Sequence, residues 1–196
     1  SGNSVFIIPL STTFKFISKL EINLSANEYH DITLYGALRR SFSGYWKSII
    51  LKYCMYSILL SPFNYRLIRP YLWRKIGCKI GKNVFIGYSV WIDYNNASLI
   101  EIGNNVHITN MCLLLCHQRD LSQYKVGDDA SILPYNKSKI IIEDGVMIGM
   151  NSTIMPGVRI GKGAIIGANS IVVKDVPAWT ISAGNPAIII RNLKDK

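Results

Sequence analysis

Residues 142–173 read IEDGVM IGMNST IMPGVR IGKGAI IGANSI VV when cut every six. Ile142, Ile148, Ile154, Ile160, Ile166 and Val172 open the blocks, and Val146, Ser152, Val158, Ala164 and Ser170 hold the fifth position. A helix places apolar residues at i, i+3, i+4 and i+7, and a strand alternates them; a period of six matches neither. A six-residue unit buries nothing alone, so it must stack on copies of itself, which makes the stretch a parallel β-solenoid. With three short strands to a triangular coil, the opening aliphatic points inward, and a small or β-branched fifth side chain shares the narrow interior. Asp144, Gly145, Asn151, Gly157, Gly163 and Asn169 occupy the corners, where the backbone turns tightly.

Toward the N-terminus the same rhythm runs from Ile80 in IGKNVF IGYSVW IDYNNA and resumes at Ile102 with IGNNVH ITNMCL. Asn95 to Leu99 break it and must bulge at one corner, and bulges in a regular array are candidate site elements. The repeat is lost again between Leu115 and Ile140, over the polar run CHQRDLSQYKVGDDASILPYNKSK. An excursion of about 24 residues from a regular array is usually functional or disordered. The expected organisation is therefore a basic, mostly helical segment over residues 1–76, a β-helix over 77–177 that extrudes a loop at 116–139, and a tail over 178–196.

The repeats, together with IGANSIVVKDVPAWTISAGNPAIIIR from Ile166 to Arg191, resemble the hexapeptide-repeat acyltransferases. The likeness is to the branch holding galactoside, maltose and nodulation-factor acetyltransferases and acetyltransferases of surface polysaccharides, and it covers roughly residues 76–191. It implies an all-β fold, a left-handed parallel β-helix, and acetyl-CoA-dependent O-acetylation of a sugar hydroxyl by a homotrimer with active sites between subunits. Within it His117, where the excursion leaves the solenoid, matches the catalytic histidine that takes the acceptor's proton. Met150 matches the position whose backbone N–H holds the oxyanion. Ala168 matches the backbone contact to the pantetheine arm of coenzyme A, and Lys174 and Arg191 the cations near its phosphates. Asp93 and Asn95 align with positions that bind acceptor hydroxyls, and Trp91 and Tyr94 beside them are candidates for stacking on a sugar ring. The resemblance assigns His117 no orienting partner; Asp120 is close in sequence. Two positions depart from the family: Val173 replaces a threonine and Ile188 a lysine, so Lys162 and Lys194 are alternative cofactor contacts.

Composition narrows the rest. An apolar fraction of 49% with 17% charged residues excludes a disordered chain. The net charge of +10 is uneven: residues 1–79 carry eleven Lys or Arg against three acids (+8), and residues 80–196 eleven against nine (+2). No paired-cysteine finger or RNP motif accompanies the charge, so nucleic acid ranks last among partners. Tyr45 to Leu60 reads as a helix, but its longest lysine-free stretch, Tyr53 to Phe63, is far short of the ~20 apolar residues of a membrane span. The basic segment is expected either to cap the solenoid or to lie peripherally on an anionic membrane surface. The run SGNSVFIIPLSTTFKF lacks a basic leader and a cleavage site, and Cys54, Cys78, Cys112 and Cys116 form no CxxC pair. Both point to the cytoplasm, with reduced and buried thiols.

Other readings stay open at this stage. A zinc site from Cys112, Cys116 and His117 is conceivable, yet Cys112 falls on a fifth, core position, and no metal is expected. His107, at the sixth position of its hexad, points outward as a binding or interface residue; His30 lies outside the repeat. An N-acetyltransferase of an amino-sugar nucleotide, a carbonic-anhydrase-type metal enzyme and a trimeric membrane-surface scaffold are the rival functions.

Overall fold

A computed structural model of the chain describes residues 34–56 and 64–193. Ser1 to Asp31, to which the sequence assigns no role, lie outside them. Residues 34–46 with Arg119–Asn136 form one compact unit, and 47–56 and 64–118 with 137–193 form a second, which holds the solenoid.

Three parallel sheets build the solenoid, each taking one two- or three-residue strand per coil. The first sheet stacks β1 (Lys79–Ile80), β4 (Ile100–Ile102), β9 (Ile140–Ile142) and β12 (Arg159–Ile160). The second stacks β2 (Phe85–Ile86), β5 (His107–Ile108), β10 (Met147–Ile148) and β13 (Ile165–Ile166), then β15 (Thr180–Gly184) with its antiparallel partner β16 (Ala187–Asn192). The third stacks β3 (Trp91–Ile92), β6 (Leu113–Leu114), β11 (Thr153–Ile154) and β14 (Ile171–Val172). Register is strict: Ile148 lies beside Ile108 and Ile166, and Ile154 beside Leu114 and Val172. The period of six explains this. One hexad is one side of the triangle, so residues 18 apart, as from Ile148 to Ile166, meet on adjacent coils.

The hexad openers from Ile142 to Val172 are at most 1% exposed and the fifth-position residues at most 3%. Asn151, Asn169, Gly145, Gly157 and Gly163 take positive φ at the corners. Ser152 and Ser170, polar at core positions, donate their hydroxyls to Gly167 O at 2.9 and 2.7 Å, which removes the cost of burying them. The outer face of the first sheet is charged, with Lys79 and Lys139 on Glu101 at 2.8 and 2.9 Å.

The first coil is capped from within the same unit. A π-helical turn at Asn64–Ile68 leads into α2 (Arg69–Ile76), whose Pro70 sits in the first turn, where the missing N–H costs nothing. Trp73, fully buried, and Ile76 join the core that continues through Val84 and Ile86. Arg69, 2% exposed, donates to Ile86 O at 3.0 Å and to Met55 O at 3.1 Å. The latter oxygen belongs to the last turn of α1 (Leu34–Tyr56), so the guanidinium satisfies one orphan helix carbonyl and ties that last turn to the first coil. The helix starts earlier than the Tyr45 expected from sequence, and Ser57–Leu60 fall outside the described residues.

Candidate active site

The corner where the chain leaves the third sheet is where both interruptions of the repeat fall. After β3, Asp93 leads into a 3-10 helix at Tyr94–Leu99, which is the bulge expected at Asn95–Leu99. After β6, Leu115 and Cys116 lead into β7 (His117–Arg119), which pairs with β8 (Tyr135–Lys137) as the root of the extruded loop. Asp93 N–H donates to Leu114 O at 3.2 Å, so the two coils are stacked in register here, and His117 stands over Asp93.

His117 Nδ1 forms a short hydrogen bond with Asp93 Oδ2. A carboxylate only accepts, so Nδ1 carries the proton and Nε2 of the neutral ring is the basic nitrogen. The same Oδ2 accepts from Asn96 Nδ2 at 2.7 Å. The His117 side chain is 37% exposed and that of Asp93 only 6%, so the imidazole faces outward on a carboxylate withdrawn from water. Of the two residues expected to bind acceptor hydroxyls, Asp93 thus meets His117 and Asn96 through Oδ2, and Asn95 is exposed on the bulge. Asp120 is not needed as a partner: its Oδ1 accepts Ser122 N–H at 2.9 Å in a local turn. Asn96 was not singled out from sequence; its signal was the break in the hexad itself, which gathers polar side chains where the helix turn folds back on Asp93.

The cysteines belong to the interior. Cys112, fully buried at its fifth position, donates its thiol to Gly149 O at 3.2 Å. Burial, with the Asp93 carboxylate nearby, pushes the Cys116 thiol up to about 12, and burial does the same for Cys78. Among the described residues no group of three or more His, Cys, Asp or Glu side chains is placed to hold a metal.

Met150 and Ala168 lie at a different corner, between the second and third sheets. A Cβ built on Gly149 would stand 2.4 Å from Ala168 N, so only glycine lets these two turns stack so closely. Both residues are exposed, and their N–H groups have no acceptor among the described residues. By contrast, Tyr88 N–H at the same corner two coils earlier is taken by Asn110 Oδ1 at 2.7 Å. Lys174 stands in the turn after β14 and Arg191 on β16, both exposed, on different edges of the solenoid. Lys162 is exposed at the corner between the first and second sheets, and Lys194 and His30 lie outside the described residues. Trp91 is 40% exposed on the outer face of the third sheet beside Leu113, while Tyr94 packs against the core. His107 faces outward between Phe85 and Met147, its ring 4.2 Å from that of Phe85. Burial, helped by Arg66, holds its imidazole below the usual histidine range.

Comparison with known proteins bears out the repeat and the fold. Residues 139–174 match the family profile described as bacterial transferase hexapeptide (six repeats). The YvoF protein of Bacillus subtilis (strain 168), whose name places it among acetyltransferases, is 33% identical over 142 residues, 72% of this chain and 73% of its own. The 2,3,4,5-tetrahydropyridine-2,6-dicarboxylate N-acetyltransferase of Clostridium perfringens (strain SM101 / Type A) is 51% identical, but over only 32% of this chain and 27% of its own. Among solved structures, a maltose O-acetyltransferase from Clostridium difficile 630 superposes with a TM-score of 0.62 at 20% identity, covering 80% of this chain and 89% of that one. The hexapeptide-repeat acetyltransferase VCA0836 of Vibrio cholerae O1 biovar eltor, solved with acetyl coenzyme A, gives 0.54 at 26% identity over 83% and 91%. With its repeats, its three parallel sheets and these relatives, the chain belongs to the hexapeptide-repeat acetyltransferases, enzymes built on the left-handed parallel β-helix.

Proposed function

We propose that the protein is an acetyl-CoA-dependent O-acetyltransferase that acts on a sugar hydroxyl, in the building of a surface polysaccharide, as a cytoplasmic homotrimer. The observation that carries this reading is the His117–Asp93 pair at the mouth of the extruded loop. His117 Nε2 removes the proton of the acceptor hydroxyl as that oxygen attacks the acyl carbon. Asp93 holds the ring in the required tautomer and opposes the positive charge that the ring gains. Acetyl-CoA supplies the activated acyl group: the new C–O bond forms, the C–S bond breaks, and the proton held on His117 passes to the departing thiolate. Met150 N–H donates to the oxyanion formed between these events.

The donor-rich corner suits the acyl carrier. Met150 and Ala168 are exposed, their N–H groups have no acceptor among the described residues, and Lys174 and Arg191 are exposed cations for phosphates. Within one chain the third sheet separates that corner from His117, so the reading takes His117 from one subunit and Met150 from its neighbour, which is why a trimer is proposed. Asn95 remains the acceptor-binding candidate, and His107 an interface residue. Cys78, Cys112 and Cys116 are free thiols, in keeping with a reducing compartment. Among the described residues no helix is long and apolar enough to cross a membrane.

Release of free coenzyme A from acetyl-CoA, measured with a panel of sugars, sugar nucleotides and amino sugars, tests the proposal. Turnover with a hydroxyl acceptor, an alkali-labile product and loss of turnover in His117→Ala support it. An alkali-stable product selects N-acetylation instead, the reading favoured by the 51% local identity to an N-acetyltransferase.

A further inference from the structure

Between Ile32 and Ile92 the chain holds ten Lys or Arg and not one Asp or Glu. Lys79 among them is paired with Glu101 and Arg69 is buried on backbone carbonyls, whereas Arg39 and Lys52 of helix α1 are exposed. Helix α1 occupies this region, and it is amphipathic in an unusual sense. Leu51 and Met55, both buried, pack inward. On the opposite side stand Leu38, Phe42, Tyr45, Trp46, Ile49 and Tyr53, all exposed, from 37% at Ile49 to 70% at Phe42. At about 100° per residue these six fall within a stripe roughly 100° wide. Arg39 lies on one margin of the stripe and Lys52 on the other.

A helix that keeps Leu51 and Met55 for its own core and offers water a largely aromatic stripe edged with cations has the composition of an interfacial helix. Tyr and Trp are suited to the headgroup level, where one end of the ring is apolar and the other wet. Lysine and arginine at the margins lay their stems along the apolar zone and carry their charge to lipid phosphates. A protein partner would need acidic groups set on both sides of an apolar groove to meet Arg39 and Lys52, whereas an anionic bilayer answers the marginal cations and the apolar stripe together.

We propose that the outward face of α1 docks on the surface of an anionic lipid bilayer, lying in the headgroup plane without spanning it. This is independent of the acetyltransferase reading, and it is tested by binding rather than by turnover. The full chain is floated with phosphatidylcholine vesicles with or without phosphatidylglycerol. The expected result is binding at least about tenfold stronger to the anionic vesicles, weakened by salt. The exposed-face variant Phe42→Asp/Tyr45→Asp should lose about tenfold or more at an unchanged melting temperature. Lys52→Glu alone should lose less, and only toward anionic vesicles. Equal binding to both vesicle types, no binding to either, or full binding by the double variant overturns the proposal. Without lipid, the Trp46 emission, taken as the difference between wild type and Trp46→Phe, should be open to an aqueous quencher. A shielded Trp46 would mean that another copy, or another part of this chain, covers the face, and that too overturns it.

Discussion

Replacing Asp93 by asparagine probes the site most directly, because it changes the charge and almost nothing else. In the native site one oxygen of Asp93 accepts from both His117 Nδ1 and Asn96 Nδ2. An asparagine with its amide oxygen in that place keeps both hydrogen bonds and the buried shape, so the fold should survive with little loss. What disappears is the negative charge beside the ring at the moment the ring becomes an imidazolium. For unit charges about 4 Å apart and an effective dielectric of about 20, that attraction is about 4 kcal/mol. At about 1.4 kcal/mol per decade, turnover falls by up to about 10³-fold. If the amide flips, its NH2 faces two donors, the imidazole must change tautomer, and the loss is larger. The assay is coenzyme A release at saturating and limiting acceptor. A fall in kcat with acceptor KM within about twofold fits the orienting role. Near-native kcat with a raised acceptor KM would falsify it, and Asp93 would then be the acceptor ligand that the family resemblance suggests.

The base itself should be costlier to lose than most contacts: His117→Ala is expected to lower turnover by about 10²- to 10⁴-fold, with circular dichroism and melting unchanged. Gly149→Ala pushes a methyl to 2.4 Å from the Ala168 backbone, so the coil must shift; a loss of about 1–3 kcal/mol is expected in denaturant titration. Ile148→Ala, at a fully buried position, should cost about 2–5 kcal/mol, and a value within experimental error of zero would mean that the hexad opener does not carry the core. The folded-state pKa of His107 lies below its ordinary 6.5, so the unfolded chain takes up that proton first. Its contribution is present above pH 6.5 and is lost as the pH falls through the lowered value, so His107→Gln should flatten that part of the melting-temperature profile.

The repeat was legible because it is a local code: each hexad states which side chain goes inside and where the backbone turns, and stacking identical units leaves no freedom in register. Ile142 to Val172 and their fifth-position neighbours could be assigned by counting alone. The interruptions could be located the same way, as places where counting fails. Their consequence could not, because the length of a bulge does not say which of its polar side chains turns inward. Asp93 and His117 are 24 residues apart and follow strands of the same sheet by one and three residues. Register counting from Ile92 to Leu114 places them on one corner, and only the folded coil shows that the carboxylate turns toward the ring.

By itself, then, the sequence determined the β-helix, the six-residue side of its triangle, the corner that extrudes the loop and the histidine at that loop's root, since each follows from period and turn chemistry along a continuous chain. The tertiary structure decided what depends on neighbours across coils and elements. It joined Asp93 to His117, separated Met150 and Ala168 from them by a whole sheet, and drew the cap residue Trp73 into the core. It also turned the aromatic side of α1 outward. No local pattern could decide these, because each is a choice between two faces that only the packed partner settles.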